Sequence, residues 1–137
     1  MKRLLVLFVV LTVSLGVVSS AEGGRRAKTF VNHNCTGVRI EPRAIMFTCA
    51  DGGFFVKSLD WRSWHRFRAV GHGVFHRNDC DPSCAGGSFH RAKGRLVLVR
   101  RLWCEDINRY VFRRARIRYA RPLLGEERES WRLYCPI

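Results

Sequence analysis

Between residues 66 and 76 the chain reads RFRAVGHGVFH, and its character changes at every second position. Phe67, Ala69, Gly71, Gly73 and Phe75 fall on one side of an extended chain; Arg66, Arg68, Val70, His72, Val74 and His76 fall on the other. A period of two marks a half-buried strand, so the first set predicts a core face and the second a basic face open to solvent or a partner. Less regular versions of the pattern recur along the chain. Arg39 and Ile40 read as a short edge strand that Pro42 stops. Residues 44–49 read as a strand, Asp51-Gly52-Gly53 as a turn, and residues 54–61 as the returning strand of a hairpin. Residues 78–88 form a loop, 95–103 a strand, 105–108 a turn and 110–119 another strand. In that last strand Tyr110 and Phe112 share one parity, whereas Ala115, Ile117 and Tyr119 share the other. A bulge at Arg113-Arg114 would bring Phe112, Ala115, Ile117 and Tyr119 onto one face. Residues 122–129 read as a charged surface loop and 131–135 as a terminal strand. About seven short strands with turn signals between them and no helical period predict an all-β domain. The expected form is a single-domain antiparallel β-sandwich, disulfide-bonded, with a small β-barrel as the alternative.

The N-terminus follows a different logic. Lys2 and Arg3 precede an apolar run over residues 4–18, and Ser19-Ser20-Ala21 supplies small residues for cleavage. This is the order of a secretory signal peptide, 1–21, and the run is short for a membrane span. Residues 22–34 read as a flexible basic leader and 35–137 as the β domain. Removing 21 of the 137 residues leaves 116, enough for one core and too few for two. All six cysteines lie beyond the signal. An even count in a small exported chain reads as a disulfide framework, for which six cysteines allow 15 connectivities. The sequence-local set is favoured: Cys35–Cys49, Cys80–Cys84 across the turn Asp81-Pro82-Ser83, and Cys104–Cys135. The spacing of His76, Cys80, Cys84 and His90 would also suit zinc. In an oxidising compartment the two cysteines pair with each other instead, and no metal or other cofactor is expected.

Charge sharpens the picture. The net charge is +14, which becomes +12 once Lys2 and Arg3 leave with the signal. Only Lys2, Lys28, Lys57 and Lys93 are lysines; the remaining cations are arginines, whose planar fork suits phosphate and carboxylate. The arginines recur on single strand faces, Arg66 with Arg68 and Arg114 with Arg116 and Arg118. They point to non-specific binding of anionic polymers such as cell-wall polymers, nucleic acid or acidic glycans.

Several short motifs follow one another in order: Cys49-Ala50-Asp51-Gly52, Leu59-x-Trp61-x-x-Trp64, Ala69-x-Gly71-x-Gly73, and Asn78-Asp79-Cys80-x-Pro82-x-Cys84-Ala85-x-Gly87-x-Phe89. Together they resemble a group of small secreted actinobacterial proteins. The resemblance implies export and a compact β domain, and carries no particular activity. His65 stands where that group often has glycine, and this chain is more basic.

Two function classes remain. The preferred one is an exported, non-enzymatic module of the cell envelope or extracellular space that binds anionic polymers through its basic faces. The alternative is a small secreted hydrolase, a nuclease using His72 or His76 as acid or base with arginine on the phosphate. Strand residues four apart are separated by about 13 Å, so both histidines would serve one phosphate only if the strand bent at Gly73. Asp79 and Asp81 beside Pro82 read as turn chemistry before they read as a calcium or acid–base pair. Ser63, Ser83 and Ser88 lack a nucleophile-elbow context, and no phosphate-cradling or dinucleotide motif is present. Trp61 and Trp64, three apart, are expected on opposite faces, Trp61 in the core and Trp64 at the surface as a binding residue.

Overall fold

Burial alternates along the long strands, as the polar pattern requires. The computed structural model describes residues 28–136; the predicted signal peptide and residues 22–27 of the leader lie outside them. Eight strands and no helix occur among the described residues: β1 (Thr29–Asn32), β2 (Val38–Arg39), β3 (Ile45–Met46), β4 (Phe54–Trp64), β5 (Ala69–Asn78), β6 (Phe89–Cys104), β7 (Arg109–Leu123) and β8 (Glu126–Arg132). On β6, Ala92, Gly94, Leu96 and Leu98 are buried between exposed Lys93 and Arg95 and half-buried Val97 and Val99. On β7, Ala115, Ile117 and Tyr119 are buried between exposed Arg116 and Arg118.

The strands form one continuous curled sheet in the order β2-β1-β7-β6-β5-β4-β3, with β8 added to β7. Every pairing is antiparallel except β1 with β7. The two ends of the path meet. The Met46 N–H donates to the His33 carbonyl (2.9 Å), and the Cys35–Cys49 disulfide joins the segments beside them. At the other end of β1, the Trp64 indole N–H donates to the Thr29 carbonyl (2.9 Å) and the Thr29 hydroxyl donates to the Arg66 carbonyl (2.6 Å). The enclosed core is largely aromatic. Phe47 stacks on Phe54 at 4.7 Å, Phe54 meets Trp131 at 4.9 Å, and Tyr119 stands edge-on to Phe75 at 5.3 Å.

One carboxylate lies inside this curl. Glu129, on the inner face of β8, accepts from Arg77 Nη1 (2.7 Å) and the Tyr119 hydroxyl (2.9 Å) on one oxygen, and from the Trp131 indole N–H (2.6 Å) on the other. It ties β8 to β5 across the core. Burial first, and then donation to Glu129, raises the Tyr119 pKa well above that of a free phenol.

The all-β class, the strand count and the three disulfides match expectation: the bonds are Cys35–Cys49, Cys80–Cys84 and Cys104–Cys135. Several expectations are corrected. The domain begins at β1, inside the segment assigned to the leader, because Val31 and Thr29 are buried against β7 and β4. Residues 122–129 are not a loop. They are the tip of the β7–β8 hairpin, turned in two residues by Leu124 (φ 50°) and Gly125 (φ 87°), the positive-φ pair that such hairpins need. The irregularity at Arg113-Arg114 is shared with the partner strand. Arg100 opposite takes φ 59°, and the ladder resumes at Arg101↔Phe112 with its register unchanged, so both strands turn over together. Trp61 and Trp64 lie on the same face, edge to face at 4.6 Å, because β4 carries a register irregularity between Trp61 and Ser63.

Two outcomes follow. Replacing Glu129 by Ala strands the Arg77 guanidinium over Phe54 and Trp131. Thermal or urea denaturation should show a loss of about 2–3 kcal/mol, below the ~3–5 of a fully buried pair because Arg77 is partly exposed, and Glu129→Gln should lose less. Among the disulfides, Cys104–Cys135 spans 31 residues and Cys80–Cys84 only 4. Chain entropy assigns roughly 3–4 kcal/mol to the first and about 2 to the second, so the Cys104/Cys135 double-alanine variant should melt at the lower temperature.

Candidate functional site

The inner face of β5–β8 is consumed by the core, which leaves the outer face to carry chemistry. Cross-strand registers set out its rows. His72 on β5 lies opposite Arg95 on β6, Arg95 opposite Arg118 on β7, and Arg118 opposite Arg128 on β8. The neighbouring row runs Val70, Val97, Arg116, Ser130; the one beyond it, Val99, Arg114, Arg132. Among the described residues only two ion pairs form, Arg77–Glu129 and His90–Asp79. Arg95, Arg116, Arg118 and Arg128 therefore stand exposed with no carboxylate partner.

Two shallow depressions lie on this face, of about 520 and 530 Å³, and both are bordered by Arg95 and Arg118. The first sits over Gly73 and Gly94. A Cβ on Gly73 would come within 2.7 Å of Val56 Cγ2, and one on Gly94 within 2.9 Å of Phe75 Cε2. The backbone is drawn onto the core at these two positions, and the outer surface dips above them, floored by Val74 and Ala120. The first depression thus has an apolar floor and a rim that carries the Arg95 and Arg118 guanidiniums and Lys93, with the Asp60 carboxylate on the β4 side. Like charges placed directly opposite on neighbouring strands destabilise a sheet. A bridging anion would remove that repulsion and receive charge-assisted, often bidentate, hydrogen bonds.

The other candidate residues fall as follows. Arg66 and Arg68 precede β5 and lie in the β4–β5 loop, so they do not share a strand face with His72. Arg68 nevertheless borders the second depression. Arg114 is half-buried, with Nη1 donating to Ser130 Oγ (3.1 Å). His72 is exposed in the arginine row, opposite Asp60 on its other side. His76 stacks on Phe55 at 4.9 Å, and burial first, then Lys57 and Arg91, lowers its pKa. The β5–β6 register is unbroken through Gly73, so the strand keeps the two histidines at their extended separation. Trp64 is half-buried: its ring meets Phe112 at 5.6 Å and its N–H is used by Thr29, and it also borders a depression with Arg66, Phe67 and Arg68.

The Asn-Asp-Cys loop is held by its own side chains. The Asp79 carboxylate accepts the Ser88 (2.8 Å) and Asp81 (3.2 Å) N–H groups and meets His90 Nε2 at 2.8 Å. Donation by Ser88 first, then by His90 and Asp81, lowers its pKa to about 2. The Asp51 carboxylate lies within 4.8 Å of the Cys80 and Cys84 sulfurs, but these are joined as a disulfide and are not thiolate ligands.

Arg95 and Arg128 were missed by sequence reading. The alternation of Lys93, Arg95 and Val97 with Ala92, Gly94, Leu96 and Leu98 carried the signal for Arg95. Arg128 was hidden by reading its strand as loop. Because Arg118 is flanked by Arg95 and Arg128, Arg118→Glu should stabilise the free protein by about 0.5–1 kcal/mol in low salt. The gain should shrink in about 1 M NaCl, where screening is short-ranged. An unchanged or lower melting temperature in low salt would show that the row is not under repulsion. No match to the chain was found among protein-family models, curated proteins or solved structures.

Proposed function

We propose that the chain is an exported, non-enzymatic binding module that seats an anionic polymer across the outer face of β5–β8. The observation that carries this reading is the row Arg95–Arg118–Arg128, three directly opposed guanidiniums that form no ion pair among the described residues. Neighbouring strands lie about 4.8 Å apart, so the row offers cations at short, regular intervals to a polymer crossing the strands. Contacts of this kind recognise charge and spacing, not sequence. Three disulfides are compatible with an extracellular protein. Together with the N-terminal signal pattern, they direct the proposal towards polyanions met outside the cell: wall polymers, extracellular nucleic acid and acidic glycans.

The salt dependence of binding tests the proposal. Affinity for duplex DNA should lie near 10⁻⁴–10⁻⁶ M and fall with log salt at a slope of about −0.9 per phosphate contact, with roughly four to six contacts. Arg95→Ala with Arg118→Ala should flatten the slope by about two units, and Arg66→Ala with Arg68→Ala by about one, since only Arg68 borders the groove. Absence of DNA and heparin binding at low salt, or binding indifferent to salt, would remove the reading. Cleavage of RNA or single-stranded DNA by the wild-type protein, lost in His72→Ala, would replace it with the nuclease.

A further inference from the structure

Away from the arginine row, where the β6–β7 hairpin passes the β4–β5 loop, aromatic rings and guanidiniums alternate. The Trp103 ring stands against Tyr110 at 4.7 Å, and Arg101 lies over the other ring of that pair, 3.1 Å from the Tyr110 centroid. Phe67 follows at 5.8 Å from Arg101, and Arg66 lies 5.1 Å from Phe67. Arg101 is fixed in the series by donation from Nε to the Thr29 hydroxyl (3.0 Å), which in turn donates to the Arg66 carbonyl. Two rings of the series are open to solvent: Phe67 is 63% exposed and Trp103 45%. Apolar rings of this size are normally covered, and neither Arg66 nor Arg101 belongs to an ion pair among the described residues.

We propose that this stack is a platform for unpaired bases, so that the polyanion preferred by the protein is single-stranded nucleic acid. The inference rests on the polyanion reading and narrows it. Continuity supports it. A depression of about 900 Å³ beside Phe67 is bordered by Arg66 and Arg68, and Arg68 also borders the groove of Arg95 and Arg118. A sugar–phosphate backbone following Arg118, Arg95 and Arg68 is thereby delivered to Phe67. A sugar ring offers an aromatic side chain only its C–H face, whereas every base has a π-face to stack. Arg66, exposed at the end of the series, offers its guanidinium plane to a base as well.

The experiment compares a 20-nucleotide oligothymidylate with an abasic strand of the same length, which carries the phosphates and lacks the rings. Heparin serves as a third ligand. At equal salt the oligothymidylate should bind more tightly than the abasic strand by about 5- to 150-fold for each base engaged. Phe67→Ala with Trp103→Ala should abolish that difference and leave the heparin salt slope unchanged, while Trp103→Phe should keep most of it. Equal affinity for the two strands, with heparin still bound, overturns the platform and spares the polyanion reading. Oligothymidylate binding that persists while heparin and the abasic strand fail at low salt supports the platform and removes that reading.

Discussion

A single carboxylate inside an aromatic interior determines how this sheet closes. Glu129 spends both oxygens on three donors from two other strands and its own, Arg77, Tyr119 and Trp131. An unpaired charge at that depth would cost several kcal/mol, so β8 has one acceptable register and not two. A slip by one residue would place Arg128 or Ser130 against the aromatic core and turn Glu129 outward. The inner position of Glu129 thus also sets the outer position of Arg128, Ser130 and Arg132. The interior electrostatics fix the basic exterior.

The legible part of the fold was the part governed by local periodicity. β5 and β6 alternate cleanly, and the cysteine pairs lie near each other in sequence, so both were readable. Non-local effects were not. Thr29 and Phe30 belong to the sheet because β7 offers them parallel partners 81 residues away, Tyr110 and Val111, which no local pattern announces. The Leu124-Gly125 turn lacks the Asn-Gly or Asp-Gly signature, so a hairpin of charged residues resembled a loop, and Arg128 and Glu129 were lost with it. Trp64 packs its ring against the core face, half-buried, because an irregularity in β4 shifted its parity. Of the candidate site, Arg116, Arg118 and His72 were found by alternation. Arg95 was readable but passed over, and the ring–guanidinium series is a tertiary arrangement of β6, β7 and the β4–β5 loop that spacing does not reveal.

The outer face also separates what folding needs from what it tolerates. Val70, Val74, Val97 and Val99 are buried or half-buried there. Arg95, Arg116 and Arg118 between them are exposed, and arginine is spread more widely still. What distinguishes Arg95, Arg118 and Arg128 is that three stand opposed in one row, whereas Arg114 and Arg132 make only a pair. Arg77, Arg101 and Arg113, by contrast, are engaged by Glu129, Thr29 and the Leu133 carbonyl and have structural work.

The sheet's margins bear on what happens when many copies crowd along one polymer. A template that concentrates β proteins side by side invites their free edges to pair into fibrils. Here the path terminates in β2 and β3, each only two residues long. β8, which pairs only with β7, reads EERESWR, and a margin so rich in charged residues resists such pairing. If the chain coats a polyanion as proposed, these margins would keep the molecules separate and exchangeable, and loading of the polymer would stay reversible at high occupancy.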